Sequence, residues 1–122
     1  MLEKKDTERK KILAIHDAMD VLNGKWKISI ISSVCYHNKR RFSDILADIK
    51  GISNKMLSKE LKELETNKLV KRTVMNTQPV TVHYQLTKYG LSLKSVLDSL
   101  SDWGIRHRNF IMHSNDDENQ AD

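Results

Sequence analysis

Between residues 51 and 86 the apolar side chains change from a helical spacing to a strand spacing, and that change limits the folds open to this chain more than any other feature of it. In GISNKMLSKELKELETN, residues 51–67, a step of about 100° per residue puts Leu57, Leu61 and Leu64 on one stripe and Lys55, Ser58, Lys59 and Lys62 on the opposite one. One face asks for a core and the other for an anion. Ser53 stands where an N-cap belongs, able to accept a hydrogen bond from a first-turn amide, although Met56 replaces the Glu or Gln of a full capping box. After Asn67 the period becomes two. Val70, Arg72 and Val74 alternate with Lys71, Thr73 and Met75, and Val80, Val82, Tyr84 and Leu86 alternate with Thr81, His83 and Gln85. Residues 76–79 join these runs as a polar tip, with Pro79 at the edge, where it removes no ladder hydrogen bond.

Upstream, Ile12, Ile15, Met19 and Leu22 recur at helical spacing, and Asn23-Gly24 supplies the stop. Residues 25–37, KWKISIISSVCYH, carry a broad apolar face of Trp26, Ile30, Ile31, Val34 and Cys35. β-Branched content alone favours a strand there, but the length and the Ser32-Ser33 interruption favour a buried helix. A polar, basic turn at residues 37–41 leads to a short helix in which Asp44 meets the positive end of the helix dipole. Thr87 can cap a last helix running through Leu93, Val96, Leu97, Leu100 and Trp103, with Phe110 and Ile111 beyond Gly104. The expected fold is mainly α with a small β-hairpin: helices at about 10–22, 25–37, 43–49, 53–67 and 88–112, and strands at about 69–75 and 80–86.

A chain of 122 residues is one domain in size. It divides into a charged extension over residues 1–11, a body over 12–113 and an acidic tail over 114–122 that is expected to be disordered. With 21 Lys plus Arg against 16 Asp plus Glu the net charge is +5, and Asp116, Asp117, Glu118 and Asp122 in the tail leave the body more basic than that sum. A basic body points to a polyanion, nucleic acid above all, though the same charge would also serve solubility. Cys35 is the single cysteine, so no intrachain disulfide can form, and a reducing cytoplasm is the expected setting. No apolar run reaches the ~20 residues that span a bilayer, and residues 1–11 lack a signal-peptide core. The five histidines have no metal-ligand spacing with each other or with Cys35, and neither a phosphate loop nor a nucleophile elbow is present, so neither a metal, a cofactor nor an enzymatic activity is expected.

Two short helices joined through Gly51-Ile52 are a helix-turn-helix by layout, and a hairpin directly after them makes a winged helix. An α-helix fits the major groove of duplex DNA, which places Ser53, Asn54, Lys55, Ser58, Lys59 and Lys62 toward base edges and phosphates. Arg40 and Arg41 beside the helix pair and Lys71 and Arg72 at the hairpin base are expected on phosphates, and Thr77 and Gln78 at the tip near an adjacent minor groove. Each lysine alone reads equally well as a solvated surface charge; their grouping on one face does not. A winged-helix surface turned to protein partners is the alternative. Cys35 is read first as a small buried hydrophobe and second as a redox-sensitive thiol.

Six blocks in order, DVLNGKW (20–26), RRFSDI (40–45), GISNKML (51–57), LKELE (61–65), LVKR (69–72) and YQLTKYG (84–90), resemble the HxlR-type winged-helix transcription regulators of bacteria and archaea. The resemblance runs from about residue 12 to residue 110. It implies a dimeric DNA-binding regulator of a pseudo-palindromic operator, with the helix after Ser53 in the major groove and the first and last helices at the dimer interface. Ile12, Ile15, Met19, Leu100, Trp103, Phe110 and Ile111 are the residues that interface would use. Two positions depart from the family pattern. Leu13 stands where many members carry a sensing cysteine, and Asn54 where a proline is common.

Overall fold

Among residues 2–114, which the computed structural model describes, the elements run α1 (Leu2–Val21), α2 (Lys27–Cys35), β1 (Arg40–Arg41), α3 (Phe42–Asp48), α4 (Asn54–Thr66), β2 (Val70–Met75), β3 (Thr81–Leu86), α5 (Lys88–Leu91) and α6 (Lys94–Met112). The winged helix-turn-helix forms as its periodicities predict. Ile30, Ile31 and Val34 of α2 meet Ile45 of α3, Leu57, Leu61 and Leu64 of α4, Val70, Tyr84 and Leu86 of the sheet, and Leu97 of α6 in one core. Burial decides the conformation of α2: its β-branched residues form a helix because a helix places Ile30, Ile31 and Val34 together in that core. Ser53 caps α4 as expected, its hydroxyl accepting from the Met56 amide at 3.1 Å.

Element ends differ from the periodic reading, most clearly in the first three helices. The first helix starts at Leu2 rather than near residue 10, because good helix formers such as Glu3, Lys4, Glu8 and Arg9 continue it without any apolar stripe to announce it. The second is shorter than 25–37 at both ends. The third begins at Phe42. The acidic tail beyond Ser114 lies outside the described residues.

Two differences are larger. Residues 40–41, read as part of a turn, form a strand that pairs with β3 through Arg40↔Tyr84 and Arg41↔His83, making a three-stranded antiparallel sheet in the order β1-β3-β2. A two-residue strand has no period to detect. The last helix, expected to be continuous from 88 to 112, is divided into α5 and α6. At the break the backbone bonds tighten, with Ser92 donating to the Tyr89 carbonyl at 3.1 Å and Leu93 to that of Gly90 at 3.0 Å.

The division follows from how α5 is fastened. Thr87 Oγ1 accepts from the Gly90 amide at 2.9 Å and donates to the Lys68 carbonyl at 2.7 Å, which draws Gly90 onto the chain just before β2. A Cβ at Gly90 would lie 2.1 Å from the Leu69 carbonyl oxygen, a backbone atom that cannot swing away. Gly90→Ala is therefore expected to destabilise the fold by about 1–3 kcal/mol through overpacking, well above the cost of a surface Gly→Ala change. Urea unfolding followed by circular dichroism measures it; an unchanged midpoint would show that α5 can shift freely.

The candidate nucleic-acid interface

The face of α4 opposite its leucines is open. Leu57, Leu61 and Leu64 are buried, while Asn54, Lys55, Ser58, Lys59 and Lys62 are all exposed. Gly51, at φ +91°, makes the left-handed turn between α3 and α4 that any side chain with a Cβ would resist. Ile52, buried behind it, anchors the entry to α4.

A buried charge holds α4 from behind. Lys27, 4% exposed, donates through Nζ to Glu60 Oε2 at 2.6 Å and to Glu63 Oε2 at 2.5 Å, and reaches Asn23 Oδ1 at 3.2 Å. Glu60 is itself only 8% exposed, whereas the Glu63 carboxylate is partly in water. Burial alone would depress the Lys27 ammonium, but the hydrogen bonds and charges of the two glutamates carry it above its ordinary value. The same contact holds the Glu63 carboxyl below the usual glutamate range. Glu60 and Glu63 are a helical i,i+3 pair, which is how two carboxylates of one helix meet a single ammonium. Nothing in the sequence marks these three, because charged side chains on helices normally point to solvent.

On the other flank the sheet brings Arg72 beside α4, where it lines a cleft with Ser58, Leu61, Lys62, Glu65 and Tyr84. Strand alternation separates the remaining basic residues. Arg72 and Arg40 are both in register with Tyr84 and share its face, while Lys71 pairs with Gln85 and Arg41 with His83 on the opposite one. Arg41 and Lys71 are exposed. Arg40 is not available in the same way: its side chain is 15% exposed and its guanidinium is ion-paired with Asp48. The hydroxyl of Ser33 and that guanidinium hold the Asp48 carboxyl below its ordinary value. Thr77 and Gln78 are exposed at the wing tip, with Thr77 Oγ1 donating to the Pro79 carbonyl at 2.8 Å.

Cys35 lies half-buried at the end of α2. Burial pushes its thiol up, the nearby Lys94 opposes this and Asp98 adds to it, and the net shift is upward, which favours the protonated thiol over the thiolate. Beside it Tyr36 donates to Asp98 at 2.6 Å, which pushes the phenol up to about 12 and the Asp98 carboxyl down.

Among the described residues most apolar side chains of α1 and α6 are exposed, Leu97 of α6 being buried in the core. Every described side chain from Glu3 to Asp20 is exposed, Ile12, Ile15 and Met19 among them. On α6, Leu100, Trp103, Phe110 and Ile111 are exposed as well, Trp103 at 56% and Phe110 at 64%. Trp103 stacks on His107 with ring centroids 4.9 Å apart. Among the described residues no helix is long and apolar enough to cross a membrane.

A helix-turn-helix with a wing and an outward lysine face belongs to the DNA-binding transcription regulators. The family model described as HxlR-like helix-turn-helix matches residues 21–112, and the chain belongs to that family. The HTH-type transcriptional regulator YtcD of Bacillus subtilis (strain 168) is 38% identical over 105 residues, covering 85% of this chain and 82% of YtcD. A crystal structure of ytcD superposes with a TM-score of 0.72 at 37% identity, over 78% of this chain and 96% of that one. The redox regulator HypR in its reduced form superposes at 0.74 with 29% identity, over 81% and 97% of the two chains. By name, YtcD is an HTH-type transcriptional regulator and HypR a redox regulator.

Proposed function

We propose that residues 12–113 form one DNA-binding and dimerisation domain that works in the cytoplasm as a homodimer on a pseudo-palindromic duplex, one α4 per major groove about one duplex turn apart. The observation that carries this reading is the division of α4 into three buried leucines and five exposed polar residues, with Arg72 alongside. Asn54, Lys55, Ser58, Lys59 and Lys62 face the base edges and nearer phosphates, and Ser53 holds the first turn in place beneath them. Arg41, Lys71 and Arg72 meet phosphates flanking the groove, and Thr77 and Gln78 lie at the adjacent minor groove. Arg40 contributes by holding β1 to α3 through Asp48, which sets the direction of Arg41.

The dimer follows from the uncovered apolar faces of α1 and α6. Burying exposed Ile, Leu, Trp and Phe side chains stabilises by about 25 cal/mol per Å², and a single copy leaves all of them in water. Light scattering is expected to give twice the 14.2 kDa chain mass. Gel shifts on the protein's own promoter region are expected to show saturable binding that weakens steeply with salt. Absence of binding to any duplex at low salt would overturn the reading and favour a protein partner for the same surface.

A further inference from the structure

The Lys27 cluster joins three parts of the molecule that have different tasks. Asn23 follows the end of α1, Lys27 is in the first turn of α2, and Glu60 and Glu63 are on α4. Helix α1 meets the core only near its end, through Val21 and Leu22, so its direction relative to the body is set at this junction. Glu63 extends the cluster toward the open face, where the charge of Lys59 acts on it. Apolar side chains of similar volume would pack here at no cost in stability, but they lack the fixed directions of three hydrogen bonds from one ammonium.

We propose that Lys27 is a positioning residue that sets the angle between α1 and α4, and through it the distance between the two recognition helices of the dimer. The spacing of half-sites that the protein accepts is then encoded by this buried cluster and not by any group touching DNA. The proposal rests on the assignment of α4 to the groove and α1 to the dimer interface.

The test uses the full chain and the two-fold duplex that it selects from a random library, together with versions lengthened or shortened by one base pair at the centre and a single half-site. The wild-type protein is expected to lose roughly tenfold or more in affinity when the spacing is changed. Lys27→Met combined with Glu60→Met removes the two buried charges together and leaves only Glu63, whose carboxylate is partly in water. This variant is expected to bind the single half-site within about threefold of wild type while its spacing penalty falls below about threefold. Asn23→Ala, an exposed change that cuts only the bond to the connection following α1, is expected to relax the penalty in the same direction and serves if the double variant does not fold. A wild-type penalty in a folded double variant, or in Asn23→Ala when that variant must decide, overturns the proposal. A library that yields no two-fold sequence instead removes the assignment of α4 and α1, a separate result.

Discussion

Lys59→Ala combined with Lys62→Ala is expected to lower affinity for the duplex by roughly a hundredfold at low salt while the domain stays folded. Both side chains are exposed on the open face of α4, and alanine is at least as good a helix former as lysine, so stability should move by no more than about 0.5 kcal/mol. Each lysine that neutralises a phosphate releases about 0.9 of a counterion, and the proposed dimer presents each one twice. The slope of log affinity against log salt should therefore fall by up to roughly 3 to 4. Fluorescence anisotropy on a labelled duplex between low and physiological salt gives both quantities. A variant with lost affinity but an unchanged slope would mean that these lysines act on bases alone, and unchanged affinity would remove them from the interface.

The second large effect is on stability. Lys27→Met leaves Glu60 buried without its counter-ion, and breaking such a pair from one side costs about 3–5 kcal/mol, a large part of what a domain of this size has. Adding Glu60→Met is expected to recover most of the loss, because no lone charge then remains inside. Thermal melts at neutral pH compare the three proteins; equal melting temperatures for wild type and Lys27→Met would show that water reaches Glu60 and that the pair is effectively exposed.

The pH dependence has a definite sign. The Lys27 value is raised on folding, so its contribution is complete below the ordinary lysine range and is lost as pH rises through the folded value. The Glu63 value is lowered, so its contribution is present above about pH 4.3 and is lost as pH falls through the folded value. The gap in melting temperature between wild type and Lys27→Met should be widest near neutrality and narrow toward acid.

Most of α4 is legible in the sequence alone. Leu57, Leu61 and Leu64 announce their buried face because a helix repeats every 3.6 residues, and the lysines announce the other by falling between them. The hairpin was equally legible, since Val70, Val82, Tyr84 and Leu86 alternate with polar neighbours. What escaped was whatever leaves no period or depends on a distant partner. Strand β1 is two residues long and exists only because β3 offers it an edge. The break between α5 and α6 comes from Gly90 being pulled against Leu69, a contact across the fold.

Arg40 shows the same limit at the site. By position it belongs with Arg41, yet the register of β1 turns it toward Tyr84 and onto Asp48. Nothing in the sequence marks Lys27 and Glu60 as buried, because residue type predicts burial only on average. By itself, then, the sequence determined the two-faced helix of residues 51–67, its cap at Ser53, the wing after it and the apolar faces of the first and last helices, all set by local periodicity. Only the tertiary structure decided which charges face outward and which hold α4 in place, since an ammonium is driven inside solely where folding brings carboxylates within hydrogen-bonding distance, here from residues far away in the chain.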